Sequence, residues 1–184
     1  MNATSRRLRR TASTTVGAAA LLLALGLGAP AGAHVERVSA AKPDCEQTPD
    51  ACKVATTGQR VLRTARLASV GRSRCRDATV ERWGKSAAGI KLWSWYLDVN
   101  WCYRRGRITS ASADPRPDTH VPLWSFDKQL AFRKTGGKRQ SSFRVFAQGQ
   151  FQLCITKLGC IQDAQPWIRV TTRGDGSWNY NAGG

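Results

Sequence analysis

The sequence predicts an all-β protein: a single antiparallel β-sandwich, stabilised by disulfides and preceded by a loop-rich N-terminal arm. Three observations predict it. Two long segments, Lys91 to Tyr103 and Ser142 to Ile155, alternate in character with the two-residue period of a strand. Glycine-bearing turns follow at hairpin spacing: Arg105-Gly106, Thr135-Gly136-Gly137-Lys138 and Arg173-Gly174-Asp175-Gly176. Six cysteines, Cys45, Cys52, Cys75, Cys102, Cys154 and Cys160, all lie beyond what has the anatomy of an export signal.

That signal opens the chain. Arg6, Arg7, Arg9 and Arg10 give a positive start, and Val16 to Leu27 carries no charge. Ala31-Gly32-Ala33, after Pro30, has the small residues of a cleavage site. The apolar run is short of the roughly 20 residues a membrane span requires, and no second apolar segment follows. Residues 1–33 are therefore expected to be a removable signal peptide, and the product to be secreted, extracellular and without a membrane span. Their loss removes four Arg and no acid, so the formal charge falls from +17 to +13.

Residues 34–57 form the expected arm, with Cys45 and Cys52 inside it; residues 58–184 form the sandwich domain. Gln59 to Val70 suits a strand or a short helix equally, because Val61, Leu62, Ala65 and Ser69 have helical spacing before Gly71. From Lys91 onward the pattern is plain. Trp93, Trp95, Leu97, Val99, Trp101 and Tyr103 share one face of a strand, and Leu92, Ser94, Tyr96, Asp98, Asn100 and Cys102 the other. Tryptophans that share a face with Leu97 and Val99 belong to a core. Tyr96, the aromatic of the mixed face, is the one offered to a partner.

Arg105-Gly106 turns the chain into a returning strand, Arg107 to Ala113, and Asp114-Pro115-Arg116-Pro117-Asp118 is expected to be a loop. Val121 to Arg133 suits a strand broken near Asp127. In Ser142 to Ile155 the odd positions are apolar or glycine, and the even ones hold Arg144, Phe146, Gln148 and Gln150. Gly149 at the middle suggests a bulge or a bend. A turn at Thr156 to Gly159, a strand from Trp167 to Thr172 and a short strand from Ser177 to Asn181 complete the chain.

Cysteines outside a reducing compartment pair with one another, and the expected pairing joins neighbours in order: Cys45–Cys52, Cys75–Cys102, Cys154–Cys160. No C-x-x-C occurs, so structural zinc is not expected, nor any other cofactor. The charge is clustered. Seven arginines fall between Arg60 and Arg82, against Asp77 and Glu81 alone. Arg104, Arg105 and Arg107 form a second group, and Arg133, Lys134, Lys138 and Arg139 a third. Such a surface attracts polyanions. The cations placed at turns, Arg104, Arg105, Arg107, Lys138 and Arg139, are the candidate contacts.

The expected function is thus a secreted, non-catalytic module that binds an anionic polymer, such as cell wall or extracellular nucleic acid, or an acidic protein. Two alternatives stand beside it. A small enzyme would have to use His120: a nuclease pairing His120 with Arg116, a Ser-His-Asp hydrolase, or a copper-dependent oxidase holding metal between His120 and the amine and imidazole of a terminal His34. No G-x-S-x-G supports the hydrolase. A protein-binding module, such as a protease inhibitor or a secreted toxin component, would present the segment Asp114 to Val121 as a rigid loop. Oligomeric state is not legible in the sequence.

Overall fold

The structure, a computed structural model, describes residues 44–184. The expected signal peptide, the first part of the expected arm and His34 lie outside the described residues.

Two antiparallel sheets face one another. The first runs in the order β1 (Thr56–Val70), β2 (Ser73–Lys85), β3 (Lys91–Arg104), β4 (Arg107–Thr119). The second runs β5 (Trp124–Gly136), β6 (Ser142–Ile155), β8 (Trp167–Arg173), β9 (Trp178–Gly183), and β7 (Gly159–Ala164) also pairs with β6. The alternating segments of the sequence are β3 and β6, central strands of the two sheets. Every odd position of β6 from Phe143 to Ile155 is buried. Trp93, Trp95 and Trp101 are fully buried from β3, where Trp93 stacks on Phe151 at 5.2 Å and Trp95 on Phe126 at 5.7 Å. Each such ring removes roughly 200 Å² from water, about 5 kcal/mol by area as an upper bound.

Gly149 makes room for this packing. A side chain there would press on Phe126 and Trp95 at 3.1 and 3.2 Å. The irregular pairing that Gly149 was expected to mark falls on the neighbouring strand instead, where β5 bulges at Asp127 and again at Leu130.

At three elements the structure decides what the sequence pattern leaves open or misstates. Gln59–Val70 is strand, as part of β1. Its partner β2 has no clean alternation, because Arg76 and Arg82 occupy the core-facing file with Ala78 and Val80. Their guanidinium groups instead reach main-chain oxygens, Gly176 at 2.6 Å and Gly184 at 2.8 Å. Asp114–Asp118 is not a loop but the second half of β4, with Pro115 opposite Leu97 and Pro117 opposite Trp95. β4 is an edge strand, and two prolines of the same parity both turn their missing N–H away from the ladder. The rigid inhibitor-type loop is therefore absent from this position.

The disulfides join Cys45–Cys52, Cys75–Cys102 and Cys154–Cys160. Cys75 and Cys102 lie opposite each other on β2 and β3. On the loop-entropy account, closing that 27-residue separation contributes about 3 to 4 kcal/mol. The arm from Asp44 covers one end of the sandwich: Trp124 Nε1 donates to the Cys52 carbonyl at 2.8 Å, and Thr156 Oγ1 to Glu46 at 2.7 Å. No helix among the described residues is long and apolar enough to cross a membrane.

Candidate functional site

The opposite end of the sandwich is built from four hairpin turns and is rich in arginine. The β3–β4 turn is two residues long, with Arg105 at φ 51° and Gly106 at φ 75°, the left-handed pair that the twist of a tight hairpin demands. Beside it lies the β5–β6 loop, joined by mutual main-chain bonds: Ile108 N–H to Gln140 and Arg139 N–H to Ile108, both 2.8 Å. The β8–β9 turn docks on both. Gly174 N–H donates to the Ser141 carbonyl at 2.8 Å, and a side chain on Gly174 would collide with the Gly106 carbonyl. Turns from both sheets are thus locked into one rigid cap.

All five cations singled out in the sequence meet here. Arg104, Arg105, Arg107, Lys138 and Arg139 surround one hollow of about 410 Å³ floored by Ile108 and Thr109. Arg107 donates to the Arg139 carbonyl at 2.9 Å, which ties the two hairpins together. Arg104 and Arg105 also border a second hollow, of about 320 Å³, with Arg72 and Arg74. A third, of about 530 Å³, follows between Arg66, Arg74 and Arg76. Part of the first sequence cluster, Arg66, Arg72, Arg74 and Arg76, therefore forms one surface with Arg104 and Arg105. The pairing of β2 with β3, Arg74 opposite Tyr103, sets them side by side, and the reversal at Gly71-Arg72 adds Arg66 from β1.

None of the five cations has a carboxylate partner among the described residues. Asp175 is the acid bordering the second and third hollows. Its carboxylate accepts from the Ser177 hydroxyl at 2.7 Å and N–H at 2.8 Å, bonds that hold its pKa below the usual carboxylate value. Arg173-Gly174-Asp175 is accounted for by this turn. Arg105 at φ 51° and Arg139 at φ 71° occupy left-handed backbone, where a non-glycine residue costs roughly 1 to 2 kcal/mol. Turn geometry alone would favour glycine or asparagine there.

The other candidates lie on the outer face of the first sheet. Tyr96 is 8% exposed, with the Arg116 guanidinium 4.4 Å above its ring, so little of it can touch a partner while Arg116 stays in place. His120 stands in a polar chain. Its Nε2 is 2.9 Å from Ser94 Oγ, and its Nδ1 is 3.9 Å from Asp118 Oδ2, the connectivity of a hydrolase triad. The proton arrangement does not suit that chemistry. Ser94 is fully buried and also bonds Glu81 Oε1 at 2.8 Å. Burial raises the Glu81 pKa, but hydrogen bonds from Lys91, Arg60 and Ser94 outweigh it and leave the carboxyl at about 2. An ionised Glu81 takes the single serine proton, and His120 must donate to the serine oxygen rather than accept from it. The 3.9 Å separation from Asp118 is too long for the bond that would orient the ring. Arg116, the nuclease partner considered for His120, is engaged with Tyr96 and lies 3.7 Å from Asp98. The copper pair has one member, His34, outside the described residues; no group of three or more His, Cys, Asp or Glu capable of holding a metal occurs within them.

Fold and site together define a disulfide-bonded antiparallel β-sandwich with an arginine-rich end. Beyond that class no relative is found: no family model, no curated protein and no solved structure matches the chain.

Proposed function

We propose that the chain is an exported, non-catalytic module that grips an anionic polymer through the arginine-rich end of its sandwich. The observation that carries this is the convergence of Arg104, Arg105, Arg107, Lys138 and Arg139 on one hollow. Fixed turns hold the backbone under these cations, so a polyanion meets charge already gathered on one surface. Export is supported by the signal-like residues 1–33 and by three disulfides, which persist in oxidising surroundings. Extracellular nucleic acid and anionic cell-wall polymer both supply the required phosphates or carboxylates; an acidic protein surface would use the same cations.

The test is binding of polyphosphate and of DNA across a salt gradient. Four to five released counterions give a slope of log affinity against log salt near −4, roughly a hundredfold or more between 50 and 200 mM. A variant carrying Arg104→Gln, Arg105→Gly, Arg107→Gln and Lys138→Gln should bind at least tenfold more weakly and with a flatter slope. Arg105→Gly relieves the left-handed backbone while removing the charge, so that change does not threaten the turn. Salt-independent affinity, or full affinity in the variant, overturns the proposal.

A further inference from the structure

The outer face of the second sheet is unlike the rest of the surface. Its side chains follow from strand parity and register. Arg133 of β5, Phe146 of β6, Arg169 of β8 and Asn181 of β9 form one row. Toward the arginine-rich end the next row is Thr135, Arg144, Thr171 and Asn179; on the other side it is Ala131, Gln148, Trp167 and Gly183. Phe146 and Trp167 stack on this face with centroids 6.0 Å apart and planes 29° from parallel. Arg169 lies over both rings, at 5.6 and 6.0 Å. Both rings are half-buried, and a hollow of about 310 Å³ opens beside Phe146 between Arg133, Thr135, Arg144 and Arg169.

Packing explains only part of this. The Trp167 ring covers Gly183, where a side chain would meet it at 2.7 Å. Phe146 covers no glycine, and it points away from the core to which Val145 and Ala147 belong. It stands between two arginines in register, Arg133 and Arg169, about 5 Å away on either side by strand spacing. None of these arginines has a carboxylate partner among the described residues. Asp163, which shares this face, lies opposite Gln152, six residues along β6 and roughly 20 Å from Phe146.

We propose that this face is a stacking platform for single-stranded nucleic acid, with Phe146 and Trp167 under successive bases once Arg169, which no carboxylate among the described residues holds, swings from over the rings onto a phosphate, and with Arg133 and Arg144 on neighbouring phosphates. The inference rests on the polyanion reading above and narrows it. A strand surface with outward-pointing, half-buried aromatics between cations suits unpaired bases and their backbone, because every base has a stackable face and every step a negative charge. A duplex hides its base faces and would use only the cations. An anionic glycan would be gripped largely through its hydroxyls, and the rows around the rings offer amide and hydroxyl groups for this but no carboxylate, the acceptor that binds hydroxyls best. Arg144 and Lys138 lead from the platform toward the arginine-rich end, so one strand can occupy both.

The test compares three labelled probes on the intact chain: oligo(dT) of about twenty nucleotides, an abasic strand of the same length, and a duplex. Each stacked base contributes roughly 5- to 150-fold in affinity. Oligo(dT) should therefore bind about tenfold or more tighter than the abasic strand and quench tryptophan fluorescence. Phe146→Ala with Trp167→Leu should remove that advantage and leave abasic binding unchanged. Arg133→Gln with Arg169→Gln keeps both rings, serves if the first variant fails to fold, and should weaken both single strands and flatten the salt slope by about 1.4. Equal binding of oligo(dT) and abasic strand in the wild type overturns the platform and leaves the arginine-rich end standing. Failure of every probe, with polyphosphate, overturns both. Duplex binding as tight as oligo(dT), or heparin binding that needs Phe146, also overturns the platform.

Discussion

The two outer faces of the sandwich carry the same residue type to opposite ends. On the first sheet several outer-face cations reach an acid on the same or a neighbouring strand. Arg60 and Lys91 hold Glu81, Arg63 Nε is 2.8 Å from Asp77, and Arg116 is 3.7 Å from Asp98, which also accepts from Thr79 at 2.6 Å. On the second sheet Arg133, Arg144 and Arg169 have aromatic and amide neighbours and no carboxylate partner among the described residues. A chain with formal charge +17 has 12 acids to distribute, and several of them sit on one face. The lesson is that net charge does not locate a binding surface. An arginine opposite a carboxylate is spent on the fold; an arginine beside an exposed ring is available to a partner.

That contrast breaks most visibly at Glu81. Glu81→Gln removes the carboxylate that Lys91, Arg60 and Ser94 share, and should cost about 3 kcal/mol in chemical denaturation. Arg144→Gln on the other face should stay within about 0.5 kcal/mol. Equal effects on the two faces would show that the pairing of charges on the first sheet is incidental.

Acid sharpens the same contrast by a slightly smaller amount. The Glu81 carboxyl is held at about 2 in the fold against an ordinary 4.5, so the folded state favours its ionised form. The stability this confers is fully present above about pH 4.5 and is lost as pH falls toward 2, of order 2 to 3 kcal/mol in all. Denaturation midpoints measured between pH 5 and 2 should therefore fall in the wild type, and fall less in Glu81→Gln.

How much of this was legible in the sequence depends on what surrounds each strand. β3 and β6 are central and packed on one face, so hydrophobic period alone located them and assigned the tryptophans to the core. β2 escaped because Arg76 and Arg82 break its pattern, and nothing in a linear sequence says that their partners are main-chain oxygens of Gly176 and Gly184. The prolines of β4 suggested a loop because only an edge position tolerates them in a strand, and edge status is a property of the sheet. The five cations at turns were legible as a group because turns project outward. Arg66, Arg72, Arg74 and Arg76 were visible as a cluster, yet their place beside the β3–β4 turn depended on the unseen pairing of β2 with β3. Phe146 carried a signal that could have been used: it is the aromatic in an otherwise polar file, as Tyr96 is in β3. The two differ in what lies opposite. Tyr96 has Arg116 folded over it beside Asp98, whereas Phe146 has arginines with nothing acidic to hold them.

Arg116→Ala tests that last distinction with the smallest expected effect. The guanidinium makes a cation–π contact with Tyr96 at 4.4 Å and a long ion pair with Asp98 at 3.7 Å, and the arginine side chain is itself 54% exposed. Contacts of this kind contribute about 0.5 to 1 kcal/mol each, less with solvent screening, so the variant should lose under about 1 kcal/mol. Its removal uncovers the Tyr96 ring without supplying a cation to flank it. Polyanion binding should therefore stay within about twofold of wild type, despite the loss of one positive charge. A drop comparable with that of the Arg133→Gln, Arg169→Gln variant would mean that the first sheet's outer face also takes part in binding, and that a nearby carboxylate does not withdraw an arginine from a partner.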